Sequence, residues 1–392
     1  MQDATLLIVE AAGDLSRHRR QVMQNISGIA ADAVPHGPVT CVELDAGQEA
    51  GTAAFERADP RYITRFLDWQ RSASGADRDR ILGLAPGVVD VHAAGCDWPV
   101  DYRDGARPLV SLCVMANTGN RRGIHIIFGH PDMRDWPSVR LQPLHDVAHH
   151  LAAVWRIRQA LESATAAGGS PDTPRCALIQ AVLAQDRERE RERDRDRHRD
   201  RQRAAPRPSG ALALWPALVA AQWSLLDAFT ADGARYLVAY RNPEPAATFR
   251  ALADRERIVL ELALSGESGK WIASELALSE SAVARALRTA LRKLGVGDTS
   301  ALAGVQTAAF EPLEGLNTGA ALALARLAPV VGALTNLSGA ERAIVIDLLD
   351  GKRITAIARD RGTSPRTVAN QIASVYRKLG ASSRRELLSM LG

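Results

Sequence analysis

The sequence predicts an α+β multidomain chain: an N-terminal mixed α/β domain, a small helix plus β-hairpin unit, and two all-α four-helix domains towards the C-terminus. Three observations predict it. Short β-branched runs and one long helical pattern share the first 162 residues. An Asp232-Gly233 turn separates two apolar-aromatic runs further on. Residues 252–302 recur at 337–387 with a constant offset of 85 and no gap.

The length of 392 residues suggests two to four domains of about 100–200 residues each. A hydrophobic fraction of 46% with 24% charged residues excludes disorder of the whole chain. No apolar run reaches the roughly 18 residues that span a bilayer. Asp3 in the opening segment argues against a secretory signal, so a cytoplasmic protein with no membrane partner is expected. Cys41, Cys96, Cys113 and Cys176 lie far apart without a CxxC and read as reduced, core-packed thiols. A net charge of +4 is too small to argue for nucleic acid, so charge has to be read locally.

The elements follow in order. TCVELDA (40–46), PLVSLCVMA (108–116) and GIHIIFG (123–129), the last behind the turn signal NTGN, read as strands. Leu144, Ala148, Leu151, Val154, Trp155 and Leu161 recur at helical spacing and mark the helix that closes a domain over 1–162. Gly168, Gly169, Pro171 and Pro174 then interrupt the pattern and open a linker, 163–205. Within it, DRERERERDRDRHRDRQR (186–203) sets nine Arg against seven acids. The alternation makes i,i+4 neighbours repel and i,i+3 neighbours attract. The tract is expected to be a solvated helix or disordered and to bury nothing; a nucleic-acid arm would carry a block of one sign. Residues 206–245 form the helix plus β-hairpin unit, with strands WSLLDAF (223–229) and RYLVAYR (235–241). Trp215, Trp223, Phe229, Tyr236 and Tyr240 are expected to pack its core.

The repeat has an internal logic. Each copy opens a helix at Asp254 or Ser338 and closes it at Gly266 or Gly351. A short helix carries Ile272-Ala273 or Ile357-Ala358, and a tight turn follows at Ala277-Leu278 or Gly362-Thr363. Ser279 or Ser364 caps a third helix, which buries Val283, Leu287, Leu291 and Leu294 in copy one and Val368, Ile372, Val375 and Leu379 in copy two. A fourth short helix follows Gly295 or Gly380. This is the helix-turn-helix pattern, whose third helix enters the major groove. The copies are assigned to 250–305 and 336–392, with a connector at 306–335 and a helix expected at Ala320–Leu327.

Copy two, LSGAERAIVIDLLDGKRITAIARDRGTSPRTVANQIASVYRKLGASSRREL, closely resembles the LuxR/FixJ (NarL-type) DNA-binding domain. The shared features are L-S-x-x-E, the mid Gly, I-A, S-x-x-T-V and R-K-L-G-x-x-S-R-x-E-L. Copy one, LADRERIVLELALSGESGKWIASELALSESAVARALRTALRKLG, resembles it too. Copy two departs at Arg361 (the family's Leu), Thr363 (Ile or Val), Ala369 and Gln371 (Lys and His), and copy one at Ala282 (Thr). The resemblance implies a sequence-specific, double-stranded DNA-binding transcription regulator with RNA polymerase as a partner.

The two copies differ in charge. Copy two carries ten Lys/Arg against five acids, copy one seven against seven, so phosphate neutralisation favours copy two. Base reading favours copy one, whose third helix shows Arg285 and Arg288 where copy two has Asn370 and Ala373. Arg pairs with guanine O6 and N7, Asn with adenine. The candidate DNA contacts are Ser281, Arg285, Arg288, Arg292 and Lys293 in copy one. In copy two they are Arg366, Thr367, Asn370, Gln371, Ser374, Arg377 and Lys378. The copies are expected to act in cis as the two halves of a dimer do, with recognition helices about 34 Å apart. An alternative is a protein-interaction regulator whose repeats serve docking or dimerisation.

TLLIVEAAGD (5–14) has the look of a receiver's first strand, but residues 1–269 contain no Lys to hold a phosphate, which excludes phosphorelay control. The closing helix ending LAAVWRIRQAL resembles that of GAF- or PAS-like sensor domains, which leaves a small-molecule ligand and a homodimer open. GESGKW (266–271) imitates a P-loop but has Leu264 for its first Gly and Trp271 for Ser/Thr. His145 and His149 sit at i,i+4 beside His150 without a third metal ligand. With no nucleophilic, paired-carboxylate or dinucleotide signature, no enzyme activity and no cofactor are expected.

Overall fold

The computed structural model describes residues 2–34, 37–47, 51–90, 103–104, 107–108, 111–129, 138–168, 173–199, 212–232, 234–244, 250–264, 267–297, 299–302, 305, 308–316, 318–319, 321–327, 337–350, 352–379, 384 and 387. They are mixed α+β, with an N-terminal sheet-containing region and a C-terminal helical region, in two compact units. The first comprises 1–181 with 242–249 and 315–320; the second comprises 182–241, 250–314 and 321–392. Among the described residues no helix is long and apolar enough to cross a membrane. Cys96 lies outside the described residues, and Cys41, Cys113 and Cys176 are free thiols, the first two buried.

In the first unit, α1 (Gln2–Gly13) and α2 (Arg19–Ala33) precede β1 (Val39–Asp45) and β2 (Ala53–Glu56). Then come α3 (Pro60–Ser72), α4 (Gly75–Leu82), β3 (Gly87–Asp90) and a short pair, β4 (Arg103–Asp104) and β5 (Arg107–Pro108). β6 (Ser111–Asn117), β7 (Arg122–Gly129) and α5 (Ser138–Gly168) follow. The antiparallel sheet has the order β2-β1-β7-β6-β3. The three strands expected from the sequence are β1, β6 and β7. The segment with the look of a first strand is helical instead: Thr5, Leu6, Ile8, Val9 and Ala12 are buried, and all but Leu6 form an i, i+3, i+4, i+7 stripe.

Both sheet faces are covered. Val42, Leu44, Cys113, Met115 and Ile127 pack with Tyr62 and Phe66 of α3 and with Ile81 and Leu82 of α4. On the opposite face Glu43 is buried, and its carboxylate accepts from Trp155 Nε1 at 3.1 Å, Gln159 Nε2 at 3.3 Å and Arg19 Nη1 at 2.7 Å. Arg19 also pairs with Glu162, and fully buried Arg158 donates to the carbonyls of Arg17 and Asp14. A buried charge is tolerated only when compensated in this way.

His125 is a second buried polar centre. Asn117 Nδ2 donates to the carbonyls of Ile81 and Leu84, both at 2.8 Å, so its Oδ1 accepts from His125 Nε2 at 2.7 Å. A side chain at Gly123 would meet that Oδ1 at 2.5 Å, so only Gly fits there. His145 Nδ1 accepts from Val88 N at 3.2 Å, and no cluster of three metal-ligating side chains exists among the described residues.

α6 (Pro174–Arg199) carries the charged tract as far as Arg199. It is helical, and it is not free of burial. Asp186 is buried, accepting from Tyr236 Oη at 2.6 Å and pairing with Arg326 at 3.3 Å. Glu190 pairs with Arg326 at 3.0 Å, and Arg189 pairs with Glu311. Alternating signs bring both an acid and a base to one helix face where basic and acidic strand residues wait for them, a tertiary match that local charge counting does not reveal.

The strands it meets belong to a second antiparallel sheet. β8 (Leu212–Ala213), α7 (Leu214–Val219), β9 (Trp223–Ala231) and β10 (Ala234–Arg241) precede copy one; β11 (Ala309–Pro312) and β12 (Leu322–Leu327) follow it. The order is β8-β11-β12-β10-β9, with β10 paired to β12 from Arg235↔Leu327 to Tyr240↔Leu322. The expected hairpin is therefore two strands of five, and its turn carries Asp232 at φ +50°; Gly233 lies outside the described residues. The helix expected at Ala320–Leu327 is a strand. Its Leu-Ala composition suits a helix, but it alternates: Leu322, Leu324 and Arg326 lie on one face, Ala323, Ala325 and Leu327 on the other. Pairing with β10 overrides propensity.

Copy one consists of α8 (Asp254–Leu264), α9 (Gly269–Glu275) and α10 (Glu280–Leu294); copy two of α11 (Gly339–Leu349), α12 (Ile354–Asp360) and α13 (Pro365–Leu379). The expected caps are present at Ser279 (from Ala282 N, 3.2 Å) and Ser364 (from Thr367 N, 3.1 Å), and Ser338 forms a capping box with Glu341. Gly266 and Gly351 lie outside the described residues. The segment with a P-loop look joins two helices, where Ser268 caps α9. In place of a fourth helix, copy one has a 3₁₀ turn at Thr299–Leu302. In copy two the described residues of that segment are Arg384 and Leu387.

The turn before each third helix is a Schellman-type close. Leu278 N donates to Ala273 O and Thr363 N to Ala358 O, both at 2.9 Å. It requires a left-handed residue, which is Gly362 at φ +60° in copy two and Ala277 at φ +51° in copy one.

Two outcomes are expected. Gly362→Ala should cost about 1–2 kcal/mol, because open space surrounds the new methyl and only the backbone conformation is strained. Ala277→Gly should cost nothing net, against about 1 kcal/mol in a helix interior; urea midpoints check both. For His125, burial lowers the imidazole from an ordinary 6.5 to about 3. The unfolded chain then binds a proton that the folded chain refuses. Stability is therefore complete above about pH 6.5 and falls towards pH 3 by up to about 1.4 kcal/mol per pH unit. His125→Gln, which keeps a donor for Asn117, should flatten that slope by about one proton in pH-dependent denaturation; an unchanged slope would refute the assignment.

Candidate nucleic-acid interface

Each third helix is amphipathic because its cap fixes its start and the core fixes its rotation. In copy one, Val283, Leu291 and Leu294 are buried and Leu287 half-buried; in copy two, Val368, Ile372 and Val375 are buried. The opposite stripe, i, i+3, i+4, i+7, is exposed in both. It reads Ser281, Ala284, Arg285 and Arg288 in copy one, and Arg366, Ala369, Asn370 and Ala373 in copy two. Arg285, Arg288, Arg366 and Asn370 thus share the face that can meet a groove. Ser281 lies on it as well, with its hydroxyl 3.0 Å from that of Ser279.

Other expected contacts are placed differently. Lys293 is only 6% exposed, and its ammonium donates to Ala251 O at 3.0 Å and Glu256 at 2.7 Å. It closes the interior of copy one and is not on the exposed face. Ser374 is half-buried and donates to Glu341 at 2.8 Å, tying α13 to the start of α11. Both belong to the scaffold, and one signal pointed there: Glu256 and Glu341 occupy matching positions, each three residues into the first helix. Arg292 and Gln371 are half-buried. Thr367 is exposed and sits 2.8 Å from the Ser364 hydroxyl. The side chains of Arg377 and Lys378 lie outside the described residues, as does that of Leu379.

Among the described residues each copy exposes four Lys/Arg side chains. In copy two, Lys352 is held between Asp347 at 2.8 Å and Asp360 at 3.2 Å. Those hydrogen bonds, the one to Asp347 first, keep its ammonium above the usual lysine range. Arg361, where the family has an apolar residue, reaches the Ala340 carbonyl at 3.2 Å. Arg342, Arg353, Arg359 and Arg366 are exposed. Copy one exposes Arg255, Lys270, Arg285 and Arg288. Sequence reasoning missed Lys270, Arg353 and Arg359, which lie on the second helix or at its start and not on the third. Trp271, beside Lys270, is 44% exposed.

The copies also differ in what lies behind them. Copy two has its own core, which joins Leu337, Ile344, Leu348, Ile357, Val368 and Val375. Copy one has a small internal core, Val259, Ile272, Ala273 and Val283, and a second contact in which Leu260, Ala290, Leu291 and Leu294 pack on Leu237, Ala239, Ala323 and Ala325 of the sheet.

The chain matches no curated protein. Among solved structures, that of Escherichia coli SdiA aligns over 74% of this chain and 91% of that one at 11% identity, but its TM-score of 0.21 supports no argument. The family model described as bacterial regulatory proteins, luxR family, matches residues 250–305 and again residues 335–391, and domains of that family imply a DNA-binding transcription regulator.

Proposed function

We propose that this chain is a sequence-specific, double-stranded DNA-binding transcription regulator that reads the major groove with α10 and α13. The observation that carries this reading is the exposed stripe of α10, where Arg285 and Arg288 stand one turn apart opposite the buried stripe. A guanidinium matches guanine O6 and N7, and two at this spacing suit neighbouring base pairs. On α13 the corresponding pair is Asn370 and Ala373, which favours contact with adenine and a thymine methyl. Arg366 in the first turn of that helix, with Arg353 and Arg359 at the start and end of α12, suits phosphates, which position a protein without reading sequence. Copy one then supplies most of the base discrimination and copy two more of the backbone grip, acting on one site in cis. The first unit, a sheet covered on both faces, is proposed as an input domain for a small molecule or a second subunit, with RNA polymerase as the downstream partner.

The test is a mobility-shift titration of the full chain against genomic fragments at several salt concentrations, followed by footprinting. Arg288→Ala should weaken binding to the selected site by about 1–3 kcal/mol and relax preference at one base pair. Arg366→Ala should weaken all sequences alike and reduce the salt slope by about one. Absence of binding even at low salt would overturn the reading in favour of protein docking.

A further inference from the structure

The exposed stripe of α10 can read bases only if the helix is held at a fixed tilt. One side chain at the very start of copy one, two residues before the stretch that recurs, does this. Arg250, four residues before α8 and 4% exposed, extends its guanidinium under the last turn of α10. Nε donates to Lys293 O at 2.8 Å, Nη2 to Arg292 O at 3.2 Å and Nη1 to Tyr240 Oη at 2.9 Å. Both carbonyls lie in the last turn of the helix, where the backbone dipole favours a cation, and Arg292 O accepts from Gly295 N at 3.0 Å as well. Tyr240 is buried in β10, so the same guanidinium is bonded to the sheet.

Neighbouring contacts leave no slack. α10 ends at Gly295, φ +82°, where a Cβ would sit 2.6 Å from Leu225 O of β9. Leu291 and Leu294 are embedded among Leu225, Leu237 and Ala239. The C-terminal end of α10 is thus pinned to two strands while its first half presents Arg285 and Arg288. The offset of 85 pairs Arg250 with Thr335, whose side chain is too short and has too few donors to make the same three bonds.

We propose that Arg250 is a positioning residue that aims the first copy's recognition helix, and that this aim makes copy one the specificity-determining copy. This rests on the DNA-binding reading above. A planar fork of five donors suits three acceptors at fixed angles; an ammonium does not, so Lys is a poor substitute. The role differs from simple stabilisation, because a mis-aimed helix loses base contacts while phosphate contacts elsewhere persist.

The experiment compares wild type, Arg250→Met, Arg250→Lys, Arg288→Ala and the Arg250→Met/Arg288→Ala double variant, all as full chains shown by circular dichroism to be folded at the assay temperature. Fluorescence anisotropy measures binding to a selected fragment and to random duplex. Arg250→Met should lose about 10- to 100-fold in affinity for the selected fragment, the range for lost base contacts, with random-duplex affinity and salt slope unchanged. Arg250→Lys should not restore it. In the Arg288→Ala background, Arg250→Met should cost less than it does in wild type, since one of the contacts it aims is already gone. A lowered thermal midpoint with an unchanged ratio of selected to random affinity, or fully additive losses, would overturn the proposal. Hydrogen exchange provides an arm that needs no DNA: α10 amides should exchange faster in Arg250→Met while those of α8 do not. Equal α10 protection would refute the clamp. Failure of wild type to bind any duplex would refute the DNA-binding reading instead, and the exchange arm would still decide the clamp.

Discussion

The second sheet has an apolar face that water cannot be allowed to cover. Leu237, Ala239, Ala323, Ala325 and Leu327 form it, and the back of the first helix-turn-helix copy lies on it through Leu260, Ala290, Leu291 and Leu294. Burying such a surface contributes about 25 cal/mol per Å², far more than any single cap or ion pair on this molecule. The opposite face meets α6 through Tyr236 and Arg326, which share Asp186. The sheet is therefore the body to which α10 is attached, and Arg250 and Gly295 add to an attachment that packing has already made. Copy two closes a core of its own, with Thr230 donating to Asp350 at 3.0 Å as a polar contact back to the sheet unit. The same sequence pattern thus yields two modules of different mechanical standing.

Local chemistry was legible in the sequence wherever the signal was local. Ser279, Ser364 and Ser338 cap as side-chain chemistry requires, and the buried stripe of α10 follows from 3.6-residue periodicity. The strands β1, β6 and β7 were equally plain, because β-branched runs buried on both faces have few alternatives. What escaped was set by distant partners. β12 reads as a helix until β10 is beside it. The charged tract reads as fully solvated until Arg326, Glu311 and Tyr236 supply the other halves of its ion pairs and hydrogen bonds. α1 reads as a strand because TLLIVE is β-branched, although Thr5, Ile8, Val9 and Ala12 carried the helical stripe.

The candidate site divides in the same way. Arg285, Arg288, Arg366 and Asn370 are exposed, as periodicity predicts from the burial of Val283 and Val368 on the far side. Lys293 and Ser374 were misread because a positive charge or a hydroxyl near the end of a recognition helix looks like a phosphate contact. Their acceptors, Glu256 and Glu341, lie more than thirty residues earlier in the chain. Arg250 could not be found from the repeat, since it precedes the duplicated segment and has no counterpart of its own chemistry.

The position of copy one in the chain has a consequence for its history and its separability. It is an insertion: β10 ends at Arg241, the strand that pairs with it begins at Leu322, and a complete helix-turn-helix lies between. Excising it would leave β10 and β12 to close over a gap, whereas copy two comes after β12 and interrupts no pair of described strands. The central ladder closes a long loop, and a folded insert shortens the span that has to be closed. In a chain built this way the second module can be exchanged without disturbing a strand pair, while the first is inherited together with the sheet that carries it.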